Sequence, residues 1–243
     1  MTMLLSCEKL RVGYGGTAIL PPIDLAIEPG EFWAVLGRNG SGKTTLFRTL
    51  LGLIPPIAGS ITKRGPDQRS VYVPQLGSFD DLFPMLAREV VGQGCERGWS
   101  FLVPRVREPA AVRSALEEVD ALALADRLFR ALSEGQKRRV LLARIIASGA
   151  SLALLDEPTA TMDGVAEQEA FEHLDRIRRT RGIAVVVVSH HLGAARRTAD
   201  HAVFLDREAG VVVVGTPADV VAHPAFVRRY GSTATSGDRS CDE

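Results

Sequence analysis

The sequence has few cysteines, no excess of charge of either sign and no long hydrophobic run. Its three cysteines, Cys7, Cys95 and Cys241, lie far apart without metal-ligand spacing, which favours reduced thiols over disulfides or a metal site. Basic and acidic residues number 29 each, so net charge gives no reason to expect a nucleic-acid partner. The most apolar run, residues 183–188, is much shorter than the roughly 20 residues of a membrane helix. No secretion signal is recognisable either, and we expect a soluble chain.

Short apolar segments alternate with helical patterns along most of the chain. Four segments are apolar on both faces, as central strands of a covered sheet are. They are residues 32–37, 70–74, 151–158 and 183–189. Four stretches have the periodicity of helices: residues 43–54, 110–122, 136–147 and 165–182, the last ending on a glycine. This alternation predicts an α/β fold with a mostly parallel core sheet.

The domain organisation follows from length and from where the strand pattern weakens. We expect a single domain over residues 1–230, since 243 residues suffice for one large core. The first thirty residues have the pattern of short antiparallel strands joined by Gly and Pro turns. Residues 77–130 have no comparably strong strand pattern and predict a mostly helical subdomain inserted between core strands. Residues 231–243 are small and polar, which predicts a disordered tail.

The strongest chemical signal is the glycine-rich stretch GRNGSGKT at residues 37–44, which matches G-x-x-x-x-G-K-[ST] between a predicted strand and a predicted helix. Glycines let successive backbone N–H groups surround phosphate oxygens, and the helix N-terminus favours an anion. We expect Lys43 to reach the β- and γ-phosphates and the Thr44 hydroxyl to bind Mg²⁺. A plain glycine turn is the alternative. The predicted nucleotide-binding residues here are Gly37, Arg38, Asn39, Gly40, Ser41, Gly42, Lys43, Thr44 and Thr45.

Two carboxylates follow the buried segment LALL at residues 152–155. Asp156 is placed to hold Mg²⁺, and Glu157 to polarise the water that attacks the γ-phosphate. An acidic pair at a strand end, taken alone, is more often a turn or a helix cap. Behind a buried strand and downstream of a phosphate loop, the pair predicts catalysis of phosphoryl transfer to water.

Three isolated residues fit the same site. Gln75 follows a strand, and its amide oxygen is suited to complete the Mg²⁺ shell. His190 ends another strand, where an imidazole can donate to the γ-phosphate. Either residue, taken alone, is usually a solvated loop residue. Tyr14 lies in a glycine-flanked turn and is either a platform for a purine ring or a core aromatic.

A second anion-binding pattern comes ninety residues after the first. The motif LSEGQ, residues 132–136, leads directly into an apolar-periodic helix. Ser133 and the backbone N–H groups ahead of that helix form another anion site, although one nucleotide has no evident need of two. The spacing alone leaves open which nucleotide this motif serves.

Together these motifs resemble the nucleotide-binding subunit of an ABC transporter over residues 1–230. In order they read GRNGSGKTT, VPQ, LSEGQ, LALLDEP, TATMD and VVSHH. The resemblance implies a P-loop ATPase fold of ABC type with an N-terminal antiparallel β subdomain and an inserted helical subdomain. It implies ATP and Mg²⁺ as cofactors. The implied roles are adenine stacking for Tyr14, the Q-loop for Gln75, the signature for Ser133, Gly135 and Gln136, the D-loop for Asp163 and the switch histidine for His190.

The resemblance also implies an assembly. Two subunits pack head to tail, and the signature of one closes over the ATP held by the other. Polytopic membrane permease subunits contact the helical subdomain near Gln75, which places the protein at the cytoplasmic face of a membrane. An extracytoplasmic substrate-binding protein is compatible with such an importer, and no nucleic acid is expected.

The transported substrate is predicted from residues 72–91, which resemble importers of zinc, manganese or iron complexes, although Leu86 and Ala87 depart from that pattern. Elsewhere Glu134, Met162 and His191 replace the commoner glycine, leucine and aspartate of the family. Import or export of another solute is the alternative function, as is a soluble ABC ATPase without a permease.

Overall fold

Strands and helices alternate through the chain as its sequence pattern predicts. The structure, a computed structural model, describes residues 3–65, 68–74, 84–95, 109–157, 164–189 and 192–231. Four predictions therefore lie outside the described residues: those for Gln75, Asp163, His190 and the tail beyond Gly231.

The described elements are numbered in chain order. The strands are β1 (Leu5–Arg11), β2 (Gly13–Tyr14), β3 (Thr17–Ala18), β4 (Ile23–Ile27), β5 (Phe32–Leu36), β6 (Ala58–Lys63), β7 (Ser70–Val73), β8 (Leu152–Leu155), β9 (Ala184–Val188), β10 (His201–Asp206) and β11 (Val211–Gly215). The helices are α1 (Lys43–Leu51), α2 (Ala87–Gly92), α3 (Pro109–Glu118), α4 (Glu134–Ser148), α5 (Gly164–Arg181), α6 (Leu192–Thr198), α7 (Pro217–Ala222) and α8 (Pro224–Tyr230). Short 3-10 turns lie at Gln93–Cys95, Leu122–Leu124 and Phe129–Ala131.

A six-stranded sheet in the order β11–β10–β5–β9–β8–β7 forms the core. The five strands from β10 to β7 are parallel, and β11 pairs with β10 as an antiparallel edge. Every residue of β5, β8 and β9 is buried, as the two-sided apolar pattern predicts. The sequence prediction omitted β10 and β11. Polar residues at both ends, His201 and Asp206, shorten the apolar run of β10 to four residues.

The two faces of the core sheet pack against different layers. Phe32, Ala34 and Leu36 of β5 point into a core shared with the helices α2 to α8. Trp33 and Val35 alternate with them and pack against α1 and the N-terminal strands. That N-terminal layer is an antiparallel sheet in the order β4–β1–β6, beside the small hairpin β2–β3. The expected N-terminal antiparallel strands are confirmed, with β6 joining them from beyond α1.

The described part of residues 77–130 is helical. The helices α2 and α3 pack against α4, and their buried side chains include Val90, Val91, Val112 and Leu116. Because α4 begins directly after Ser133, this cluster fixes the position of the LSEGQ motif. No helix within the described ranges combines the length and the hydropathy that crossing a bilayer requires.

A buried arginine ties the last turn of α5 to the core sheet. The Arg178 guanidinium donates to Gly30 O at 2.6 Å, to Asp200 Oδ2 at 2.7 Å and to Asp175 Oδ1 at 2.5 Å. The same Asp200 oxygen accepts from the backbone N–H of Phe32 at 2.8 Å. One guanidinium and one carboxylate therefore join the last turn of α5 to the start of β5 and to the segment before β10.

We expect Arg178→Ala to lower the free energy of unfolding by about 2–3 kcal/mol, because it removes the charge-assisted hydrogen bonds of a buried guanidinium. Arg179→Ala is the matched control. Its side chain is 71% exposed and contacts Asp175 at 2.8 Å, so we expect a loss below about 1 kcal/mol. Urea denaturation of the three proteins measures both values. Equal losses in the two variants would contradict a structural role specific to Arg178.

Candidate nucleotide site

The glycine-rich loop runs from the end of β5 into α1 and contains two positions that disfavour any side chain. Gly37 has a φ of 150°, and a Cβ there would lie 2.5 Å from Leu205 O and 2.6 Å from Ser41 Oγ. Gly42 precedes α1 with a φ of 103°, and a Cβ there would approach Leu20 Cδ1 to 3.0 Å. Glycine is required at Gly37 because the backbone of β10 lies too close for a side chain, and at Gly42 because its positive φ strains any other residue. The loop thus exposes backbone N–H groups where an anion can approach closely.

Lys43 is held at the centre of this loop. Its side chain is buried, and its ammonium donates to Gly37 O at 2.7 Å and to Arg38 O at 3.0 Å. The Glu157 Oε1 atom lies 3.5 Å away. These contacts offset the cost of burying a cation and keep it at the place where the sequence predicts phosphate oxygens.

Asp156 lies at the end of β8, next to the first turn of α1. Its Oδ2 atom accepts from the Thr44 hydroxyl at 3.0 Å and from the Tyr72 hydroxyl at 3.2 Å. Burial raises the pKa of the Asp156 carboxyl, and these two donors partly offset that effect. A hydroxyl and a carboxylate are the oxygen ligands that Mg²⁺ prefers, so this donor set fits the predicted metal.

Tyr72 was not predicted from the sequence to belong to the site. Burial, and then the nearby Asp156 carboxylate, raises the pKa of Tyr72 to about 12, so the phenol stays protonated and keeps donating. The sequence contained one signal for Tyr72. It lies within a predicted strand of the core sheet, where a tyrosine needs a hydrogen-bond partner for its hydroxyl.

Glu157 adopts a strained backbone conformation. Its φ is 48°, in the left-handed region that residues other than glycine rarely occupy. Such strain costs about 1–3 kcal/mol and concentrates at functional sites. The side chain is largely buried beside Lys43. The carboxylate predicted to orient water is thus held beside the phosphate loop.

Tyr14 lies at the rim of the cavity in front of the loop. It is half-exposed, which excludes a core aromatic, and its hydroxyl is 3.3 Å from the Thr45 hydroxyl. The cavity has a volume of about 550 Å³, within the range of small-molecule sites. Its wall also includes Arg207, just after β10, which the sequence prediction missed. Among the predicted residues, Tyr14, Asn39, Gly40, Gly42, Lys43, Thr44, Thr45, Asp156 and Glu157 line this cavity.

The LSEGQ residues lie elsewhere. Ser133 is the N-cap of α4: its hydroxyl accepts from Gln136 N at 3.4 Å, while Gln136 Oε1 accepts from Ser133 N at 3.1 Å. Ser133, Gly135 and Gln136 line a second cavity of about 850 Å³ between α3, α4 and α5. Within the described residues, the linings of the two cavities have no residue in common. The LSEGQ motif and the phosphate loop therefore line different cavities of the same chain.

Comparisons with known proteins agree with these features. A family model described as ABC transporter matches residues 20–160. The zinc import ATP-binding protein ZnuC of Pseudomonas putida is 36% identical over 233 residues, which cover 96% of this chain and 86% of that protein. ZnuC of Cereibacter sphaeroides is also 36% identical, over 94% of this chain and 88% of its own.

Solved structures show the same fold. A metal-chelate type ABC transporter in an inward-facing conformation superposes with a TM-score of 0.79 and 28% identity, covering 93% of this chain and 88% of that one. The cbiO1 protein of Clostridium perfringens, part of the ABC transporter complex cbiONQ, superposes with a TM-score of 0.74 and 26% identity, covering 94% of both chains. The predicted fold class is therefore confirmed.

We expect Glu157→Gln to slow nucleotide hydrolysis at least about a hundredfold, because an amide cannot accept a proton from the attacking water. Nucleotide binding should persist, since Lys43 and the loop are unchanged. Phosphate release and equilibrium binding measure the two effects. Glu208→Gln is the control: this 77% exposed carboxylate pairs with Arg229 at 2.6 Å, and we expect unchanged turnover. Full activity in Glu157→Gln would remove Glu157 from the mechanism.

Proposed function

This chain belongs to the ABC transporter family as an ATP-binding, ATP-hydrolysing subunit, and from that premise we propose that it powers the import of a divalent metal ion, zinc foremost. The observation that carries the proposal is the similarity to zinc import ATP-binding proteins over nearly the whole chain. The cargo ion passes through membrane permease subunits. No cargo ligands are therefore required of this subunit.

Hydrolysis is assigned to the residues around the phosphate loop. Lys43 and the loop N–H groups bind the β- and γ-phosphates, and Tyr14 stacks on the adenine. Glu157 orients the attacking water and accepts its proton. Thr44 and Asp156 would hold Mg²⁺, with Gln75 as the expected third ligand, and the ion supplies charge neutralisation on the phosphates. His190 is assigned to the γ-phosphate.

Two copies of the chain are proposed to pack head to tail around two ATP molecules. In this arrangement Ser133, Gly135 and Gln136 of one copy close over the nucleotide held by the other, and Asp163 lies at the interface. The separation of the LSEGQ cavity from the phosphate-loop cavity supports this proposal, because the motif then serves a neighbouring chain. The dimer is symmetric, so both sites have the same composition.

The subunit is proposed to attach to the cytoplasmic face of the membrane through its permease. The helical cluster of α2 and α3, with the segment that follows β7, is the proposed contact. We further propose that residues 1–230 form one ABC ATPase domain. An extracytoplasmic substrate-binding protein is a proposed third component of the importer.

Uptake of labelled zinc tests the proposed cargo. In cells lacking this subunit we expect zinc uptake to fall to the level of passive entry, and the wild-type gene to restore it. The Glu157→Gln gene should fail and the Glu208→Gln gene should succeed, which separates loss of hydrolysis from poor expression. Manganese and an iron complex are measured in parallel. Normal uptake of all three, with loss of an unrelated solute, would contradict metal import.

A further inference from the structure

The LSEGQ motif carries a negative charge where a phosphate is expected to arrive. Glu134 is the first residue of α4, directly after the N-cap Ser133, and its side chain is 50% exposed. The helix N-terminus presents backbone N–H groups and the positive end of the helix dipole. A carboxylate at this position is drawn to the same groups as the γ-phosphate and repels it.

Lys137 holds that carboxylate. The Lys137 ammonium lies 3.0 Å from Glu134 Oε1, one turn further along α4. A partner at position i+3 draws the carboxylate along the helix and away from its N-terminal end. Ser133 and Gln136 bond to each other across the first turn, so the pair lies beside an ordered cap.

We propose that Lys137 is a positioning residue that acts through Glu134 and sets the ATP concentration at which two chains close around nucleotide. The inference rests on the proposed composite site. When Lys137 pairs with Glu134, the first turn of α4 stays accessible to the partner's ATP, and the carboxylate is neutralised. Without the lysine, Glu134 turns to the helix end and competes with the γ-phosphate.

If the Lys137–Glu134 pair mattered only for folding, its loss would change stability and leave ATP-dependent dimer formation unchanged. Exposed pairs one turn apart contribute little to folding stability. Arg113 and Glu117 on α3 form an ion pair with the same 3.0 Å separation, although the Arg113 side chain is 71% exposed and the Lys137 side chain only 20%. Arg113→Met is the control for Lys137→Met, since both replacements keep an apolar stem and remove one charge from an ion pair.

A double-mutant cycle in the Glu157→Gln chain tests the proposal. The readout is the ATP concentration that gives half-maximal dimer in sedimentation velocity. We expect Lys137→Met to raise it about five- to tenfold, the scale of one unit charge several ångströms from a phosphate at a protein surface. In the Glu134→Gln background the same change should raise it less than about twofold, because the residue to be positioned is gone.

Three further measurements complete the test. The effect of Lys137→Met should shrink when ionic strength rises from about 0.1 M to about 1 M, since salt screens exposed charges. Melting temperatures should stay unchanged in every variant, and Arg113→Met should leave the ATP concentration unchanged. Equal effects of Lys137→Met in both backgrounds would show that Lys137 binds phosphate itself and would overturn the proposal. Absence of any ATP-dependent dimer in the Glu157→Gln chain would instead overturn the composite site beneath it.

Discussion

The hydrogen bond from the Thr44 hydroxyl to the Asp156 carboxylate is the contact on which the site depends. It joins the helix after the phosphate loop to the end of a strand 112 residues further along the chain. The parallel sheet makes this contact possible, because its strands deliver their carboxyl ends to one edge. Tyr72 reaches the same carboxylate oxygen from a third segment. The residues proposed for phosphate binding, metal binding and hydrolysis therefore lie together at one edge of the core sheet.

The sequence predicted those parts of the site that belong to a contiguous sequence pattern. The phosphate loop is a contiguous motif, and buried parallel strands have a two-sided apolar pattern, so β5, β7, β8 and β9 and the residues of the loop could be identified. The strand β10 was missed because polar residues flank its short apolar run. Tyr72 and Arg207 reach the site through tertiary packing, and the sequence indicated at most that the Tyr72 hydroxyl needs a partner.

The position of LSEGQ is the basis for proposing that a complete ATP site needs two chains. Packing of α2 and α3 on α4 holds the motif beside its own 850 Å³ cavity, while Lys43 lies in another. In the part of the chain that the structure describes, neither cavity is lined by both the phosphate loop and the LSEGQ motif. In this account ATP lies between two copies of the chain. The free energy of contact between ATP and the LSEGQ motif is then available only when the two copies come together. In the proposed dimer, hydrolysis would remove the γ-phosphate that both elements bind and would reopen the dimer.

Nucleotide trapping in mixed dimers tests this composite site most directly. Lys43→Ala disables a site by removing a phosphate contact, and Ser133→Arg by filling the space of the γ-phosphate. Each homodimer then has two damaged sites, whereas a mixed dimer collects both lesions in one site and leaves the other intact. If chains pair at random, about half of the molecules should trap one ATP when the two variants are mixed. Mixed dimers that form but trap no more ATP than either parent would contradict the account.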